Sequence, residues 1–406
     1  MTLCSAALLI AVHAAPAAPW APGGPSRGED LIVSLATIGP GDDVAAMGGH
    51  SALSVVDTRL EQGRLYNFGV VDFSPDLMMM FVVGKLDFHA DEASILATYD
   101  AYRSLDREIR VQVLSLSPEQ ALAAANALAV GVLPENRTYR YHHFDDNCAT
   151  RPRDVIDRAL GGALSRATAG PARMSLRDHA RRYTQVRPAL ALWLDAMQND
   201  DIDRPIAQRD EAFLPDELER QLDALVIDGQ PVVKQRSTLY RSKTHPPTPG
   251  ETPRWEGWLA LVSLLAGGAV LALSRSRRPA ARKVLGGLLA LEGLVWGGTG
   301  LLLFVLAVLV GNPITTRNEN LLLVNPVTLA LLPLGVMLAR DHARAPAALR
   351  WVTATLAASS LLAVAVKVLP MFDQQNWNVM AFVLPLTLAS GLAFALPRAQ
   401  STGSTS

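Results

Sequence analysis

Hydrophobic and polar positions follow two different patterns along this chain. From Arg27 to Arg254 apolar residues alternate with polar and charged ones, whereas beyond Trp255 long apolar runs are broken only by short polar ones. Five of those runs reach the roughly 17 to 25 residues that cross a bilayer as helix. They are Gly257–Ser274, Val284–Val310, Leu321–Ala339, Ala348–Leu369 and Val379–Leu396. The second carries Glu292, which predicts a tilt or kink there.

In the first part, SALSVVD and RLYNFGVVDF are β-rich runs separated by the turn-prone T-R-L-E-Q-G, which predicts an antiparallel hairpin. MMMFVVG predicts a third strand, and Asp91–Ile109 and Ser117–Leu128 predict helices, the second opening on Ser-Pro-Glu as N-cap and first turn. TYRYHHF is strand-compatible; after D-D-N-C, the stretch ATRPRDVIDRALGG has Pro152 suited to a first helical turn and Gly161-Gly162 suited to a stop. Helix is expected again from Ser175 to Leu225, interrupted at QNDDIDRP.

The resulting organisation is an α+β domain over residues 28–236, a Pro-rich linker over 237–256, five membrane helices over 257–397 and a cytoplasmic tail over 398–406. Ahead of them, residues 1–21 hold a short apolar segment, Leu3–Ala18, running into A-A-P-A-A-P-W-A, which reads as a secretory signal or an N-terminal anchor. Arg275, Arg277, Arg278, Arg282 and Lys283 follow the first span, and Arg340, Arg344 and Arg350 precede the fourth. The positive-inside rule places both loops in the cytoplasm and the α+β domain on the opposite face, the periplasm of a bacterial inner membrane.

Composition narrows the function. A net charge of -1 over 406 residues, 18% of them charged, lacks the basic excess of a nucleic-acid-binding chain. Of two cysteines, Cys4 lies in the export segment, leaving Cys148 without a partner in an oxidising compartment.

Cys148 stands at the entrance of a predicted helix, where unpaired N–H groups and the positive end of the dipole stabilise a thiolate and supply oxyanion donors. A nucleophile needs a base, and His50 in GGHSALSVV is the candidate outside the local cluster, its glycines permitting close approach of another chain or of substrate. With the hairpin turn centred near Glu61, His50 pairs with Asp72 on one face and Asn67 points to the other, making Asp72 the first choice to orient the imidazole and Asn67 the substitute. A one-residue slip exchanges the faces. The structural alternative is a buried thiol and an ordinary strand histidine. His142 and His143 beside Asp145 and Asp146 invite a metal reading, but adjacent strand residues face opposite ways; no metal or other cofactor is expected. Arg151 and Asp154 are expected to form a local pair at the helix start.

GHSALSVVD, LYNFGVVDF and LPENRTYRYHHFDDNCATRPRDVID resemble the periplasmic domain of the bacterial lipoprotein N-acyltransferase Lnb family from about Gly48 to Leu225, D-N-C-A-T-R-x-R-D being the specific element. NENLLLVNP and FDQQNW are similar to the membrane part of such proteins. The resemblance implies a permuted papain-like thiol fold, in which a strand histidine precedes a helix-borne cysteine. It also implies a chemistry in which His50 deprotonates Cys148, the thiolate takes an acyl chain from a phospholipid, and the thioester passes it to the α-amine of a diacylglyceryl lipoprotein. The Cys148 N–H and the Asn147 amide are then the oxyanion donors.

Tethering to the membrane suits two lipid-bearing substrates. The alternatives are a papain-like thiol hydrolase (phospholipase or cell-wall amidase) and a non-catalytic membrane scaffold. The polar loops NPITTRNEN and FDQQNWN fall on the face assigned to the thiol domain, and Asn320, Gln375, Asn376 and Trp377 are candidate substrate contacts, Asn320 and Asn376 foremost.

Overall fold

A computed structural model describes residues 17–71, 80 and 87–395. The chain divides into two compact units, one formed by Met1–Val186 with Pro205–Thr252 and the other by Arg187–Arg204 with Pro253–Ser406.

The first unit is built on a seven-stranded antiparallel sheet. Its strands are β1 (Leu31–Ile38), β2 (His50–Asp57), β3 (Gln62–Val70), β4 (Asp87–Ala93), β5 (Ile109–Leu114), β6 (Thr138–Arg140) and, after a short β7–β8 ribbon (Val226–Ile227, Gln230–Pro231), β9 (Val233–Tyr240). The spatial order is β6-β4-β3-β2-β1-β5-β9. Helices α1 (Ile95–Ser104), α2 (Pro118–Gly131), α3 (Thr150–Ala159) and α4 (Leu176–Thr184) follow in chain order.

Period-2 alternation gives this sheet two apolar faces. Val33, Leu35, Leu53, Val55, Tyr66 and Phe68 pack with α2 and α3 through Ala121, Ala125, Leu128 and Ile156, while Ala36, Ile38, Ala52 and Leu65 pack against Tyr99 of α1. α2 starts at a full capping box, Ser117 with Gln120, and Pro118 opens it. α3 gives way to Gly161 and Gly162, both at positive φ.

Three expectations shift. HADEA is the end of strand β4, so the helix expected from Asp91 begins only at Ile95, capped by Ser94. Sheet pairing extends β9 to Tyr240, beyond the expected start of the linker, and Asp106 then holds Lys243 and Thr244 by their main-chain N–H groups. Trp20, expected at the end of the export segment, is 1% exposed, and its indole donates to the Tyr66 hydroxyl at 2.8 Å, so the folded domain already includes it. The export segment through residue 16, and MMMFVVG apart from Met80, lie outside the described residues.

The second unit contains five helices long and apolar enough to cross a membrane: Glu256–Arg275, Pro279–Val310, Glu319–Ala339, Ala345–Val368 and Trp377–Ala395. They coincide with the five predicted runs. A π-helical stretch, Gly293–Gly297, follows Glu292 directly. A Cβ on Gly293 or Gly297 would fall within 2.4 Å of the backbone of Leu332 or Leu329, so small residues set this helix contact. The sixth member of the unit is α5 (Pro188–Met197), an apolar helix inserted between α4 and the rest of the first unit.

Candidate functional site

Cys148 lies in the turn that feeds α3, and Asn147 builds that turn. Its Oδ1 accepts the N–H groups of Ala149 (2.8 Å) and Thr150 (3.0 Å), and Thr150 Oγ1 accepts the N–H of Asn147 at 2.8 Å. Its Nδ2 donates to the carbonyls of His143 (2.6 Å) and Phe213 (3.0 Å). Both amide hydrogens are thus committed, and Asn147 is a capping residue rather than the oxyanion donor it was expected to be.

The hairpin register decides what faces the thiol. Asp57 Oδ1 accepts the N–H groups of Arg59 and Leu60, tightening the turn so that β2 and β3 pair as Asp57↔Gln62 through Ala52↔Asn67. The turn therefore centres before Glu61, and the shift is odd, which puts Asn67 on the same face as His50. This corrects the expected pairing of His50 with Asp72; Asp72 itself lies outside the described residues. Continuing the register sets Gly69 across from His50.

Gly69 has φ +84°, and a Cβ there would lie 3.7 Å from the Cys148 Cβ, 3.9 Å from the Tyr139 hydroxyl and 4.0 Å from Tyr141. The thiol thus meets the sheet at the end of the hairpin. His50 Nε2 bonds Asn67 Oδ1 at 3.3 Å, which puts the ring proton on Nε2 and leaves the lone pair on Nδ1. Gly49, ahead of it, has φ +85°, and a Cβ there would fall 2.7 Å from the Ile38 carbonyl, so the close approach is to β1. No hydrogen bond joins the Cys148 thiol to the imidazole in this geometry.

Burial lowers the His50 pKa to about 4, with the Arg107 charge adding to it and the Asn67 bond opposing, so the ring is a neutral base at neutral pH. Burial pushes the Cys148 thiol up; the main-chain N–H of Ser51, the Arg107 guanidinium and its own N–H pull against it. Arg107 and the tyrosines of this pocket were not singled out by the sequence. Tyr102 lies against His50 with the rings tilted and their centroids 6.0 Å apart, and burial raises its hydroxyl to about 12. Burial likewise raises Tyr139 and Tyr141, so these neighbours of the thiol are neutral and Arg107 is the charge that acts on it. An aromatic-rich strand was the visible signal for two of them; nothing in the sequence links Arg107 to Cys148, 41 positions away.

The neighbouring acids and bases are structural. His143 bonds the Tyr183 hydroxyl at 3.0 Å, whereas His142 Nδ1 stands 2.9 Å from Asp145, so the two imidazoles diverge. Arg151 pairs with Asp146 through Nε (2.6 Å) and Nη2 (2.9 Å) and covers the Tyr139 ring at 3.4 Å. Asp154 pairs with Arg153 and Arg209 instead, which corrects the expected Arg151–Asp154 pair. A cavity of about 260 Å³ opens beside Gly48 and Gly49, lined also by Glu108, Arg110 and Asp216; neither Cys148 nor His50 forms its wall.

In the second unit Asn320 and Asn376 are fully buried. Asn320 Nδ2 donates to the carbonyls of Asp195 (3.2 Å) and Ala196 (3.1 Å) at the end of α5, and its Oδ1 accepts from Asn376 Nδ2 at 2.9 Å. They fasten α5 into this unit and do not present their amides as an open floor. Gln375 is exposed, its main-chain N–H bonding Asp203 at 3.0 Å, and Trp377 is 53% exposed.

These features define a class: an α+β domain with a helix-entrance thiol and a strand imidazole–amide pair, continued into a five-helix membrane part. Residues 26–187 match the Lnb N-terminal periplasmic domain, and this part of the chain belongs to that family. The protein thus has a periplasmic N-terminal domain followed by five candidate membrane spans. No curated protein and no solved structure gives a significant match.

Proposed function

We propose that this protein is a thiol-dependent lipoprotein N-acyltransferase of papain-like order, with Cys148 as nucleophile and His50 as general base. The supporting observation is the hairpin end: Cys148 packs on Gly69 and takes the N–H of Ser51, while the preceding residue, His50, is held by Asn67 with its Nδ1 lone pair free.

In the first half-reaction the thiol proton passes to His50 Nδ1, and the Cys148 sulfur attacks the acyl carbonyl of a phospholipid. The ester C–O bond breaks, and the lysophospholipid leaves with the proton returned by the imidazolium. The contact between sulfur and ring forms with substrate bound, as general-base hydrogen bonds tighten in the productive complex. The main-chain N–H of Cys148, at the positive end of α3, is the oxyanion donor. In the second half-reaction the α-amine of a diacylglyceryl lipoprotein attacks the thioester. The C–N bond forms, the C–S bond breaks, and the amine proton returns to sulfur through His50. Gln375, in its loop, and Trp377, at the start of the last span, are exposed and are the proposed contacts for lipid-bearing substrates. No metal or other cofactor enters the scheme.

The test is to incubate the purified full chain in phospholipid vesicles with a diacylglyceryl-cysteine peptide and weigh the products. Transfer predicts one added acyl chain on the peptide and stoichiometric lysophospholipid. Free fatty acid with an unchanged peptide identifies a hydrolase instead.

A further inference from the structure

Arg107 is a buried cation without a counter-ion. It is 8% exposed, its Nε donates to the Gly39 carbonyl at 3.0 Å, and its guanidinium lies 5.0 Å from the Tyr102 ring centroid. Nη2 is buried and makes no hydrogen bond, and no described carboxylate approaches within salt-bridge distance. Arginines within the strands differ: Arg64 pairs with Glu92 and Arg110 with Glu219. An uncompensated buried charge is costly and persists where something in the site needs it.

The titratable groups that face it are few. Asp43 is exposed and acts through solvent; Tyr102 is a buried neutral phenol; His50 is a base; Cys148 is the remaining group able to become an anion. Around Cys148 itself stand Tyr102, Tyr139 and Tyr141, all neutral, with Arg107 as the sole cation acting on it.

We propose that Arg107 is a positioning residue whose fixed charge is the counter-ion of the Cys148 thiolate, held in place before the proton leaves by Gly39 and the face of Tyr102. This rests on the reading of Cys148 as nucleophile. When the thiol proton moves to His50 Nδ1, the net charge of Arg107, His50 and Cys148 together is unchanged, but the new negative charge forms on the sulfur, on which Arg107 is the acting cation. The same cation repels the imidazolium, so His50 is driven to return its proton to the leaving lysophospholipid. One charge thereby assists both ends of the first half-reaction.

The experiment measures two pH profiles on the full chain in micelles: alkylation of Cys148 by iodoacetamide and modification of His50 by diethylpyrocarbonate, each read on its own peptide by mass. Removing the charge in Arg107→Gln is expected to move both midpoints upward, that of Cys148 by about 1 to 3 pH units. Arg107→Lys keeps the charge and is expected to hold both near the parental values. A purely structural role predicts a different signature, since opening the pocket lowers the thiol midpoint while raising that of the imidazole. That pattern, an unmoved Cys148 midpoint in Arg107→Gln, or raised midpoints in Arg107→Lys would overturn the proposal. Should the Gln variant not fold, the Lys variant decides alone on the same criterion. Neither profile requires acyl transfer, so a protein that shows the expected shifts but forms no acyl-enzyme retires the transferase reading and leaves the Arg107–Cys148 coupling standing.

Discussion

Two buried polar clusters, one in each unit, make opposite use of the same chemistry. In the membrane unit Asn320, Asn376, Gln374, Glu319 and Lys367 bind one another and the carbonyls of α5 and its flanking turn; Gln374 reaches Gln198, and Lys367 pairs with Glu319. In the periplasmic domain Cys148, His50 and Arg107 are held in place, but each keeps a group uncommitted: the thiol proton, Nδ1 and Nη2. Buried groups bonded to several main-chain carbonyls fix elements in position, even where one atom, such as Asn376 Oδ1, makes no bond, whereas a thiol, a neutral imidazole and an unpaired cation brought together point to chemistry. The comparison gives the buried amides Asn320 and Asn376 a structural role and supports the proposed catalytic one for the hairpin end.

The sharpest way to break that contrast is Cys148→Ser. A hydroxyl beside an imidazole held by Asn67 alone is far harder to deprotonate, and acyl transfer is expected to fall by roughly 10⁴-fold or more with folding intact. His50→Ala is expected to slow acylation of the thiol by about 10² to 10⁴-fold, read as single-turnover release of lysophospholipid. Asn320→Ala should act on the other side of the comparison: about 1 to 3 kcal/mol of stability lost, seen as a lower midpoint of thermal unfolding in detergent, with kcat/KM preserved in the folded fraction. A stable Asn320→Ala protein with transfer abolished would move that residue back among the substrate contacts. Trp20→Ala tests the extent of the domain and is expected to destabilise the periplasmic unit by about 3 to 5 kcal/mol, since it removes a fully buried indole and its bond to Tyr66.

A further test concerns pH. His50 and His143 both titrate near 4 in the fold, against an ordinary value of 6.5. Between those limits the unfolded chain binds protons that the folded one refuses, so stability is full above about pH 6.5 and declines as pH falls toward 4. Transfer kinetics in the folded protein are expected to stay flat from neutral pH down to about 5, because His50 remains an unprotonated base. An acid limb centred at 6.5 would mean that the ring is not buried as described.

Much of this was legible in the chain because the signals are local. The five spans declare themselves by uninterrupted apolar length, and the helix-entrance cysteine by D-N-C ahead of T-R-P-R. What escaped depends on distances along the chain or on one hydrogen bond. Asp57 capping its own turn shifted the hairpin register by an odd number of residues, which moved Asn67 onto the face of His50. Asn147 looked like a free amide until Phe213, 66 residues away, took one of its hydrogens. Asn320 and Asn376 read as solvated loop residues because no periodicity signals that α5 belongs with the membrane helices. Arg107 is one arginine among many in composition and becomes exceptional only through the carboxylate it lacks.

The central claim is that Cys148 carries the acyl chain. It is tested most directly by the intact mass of the purified full chain after exposure to phospholipid vesicles without acceptor, before and after hydroxylamine. The account predicts a mass increase of one acyl group, mapped to the Cys148 peptide, erased by hydroxylamine at neutral pH and absent in Cys148→Ser. A protein that transfers acyl chains with no such adduct, or with an adduct that survives in Cys148→Ser, would contradict it.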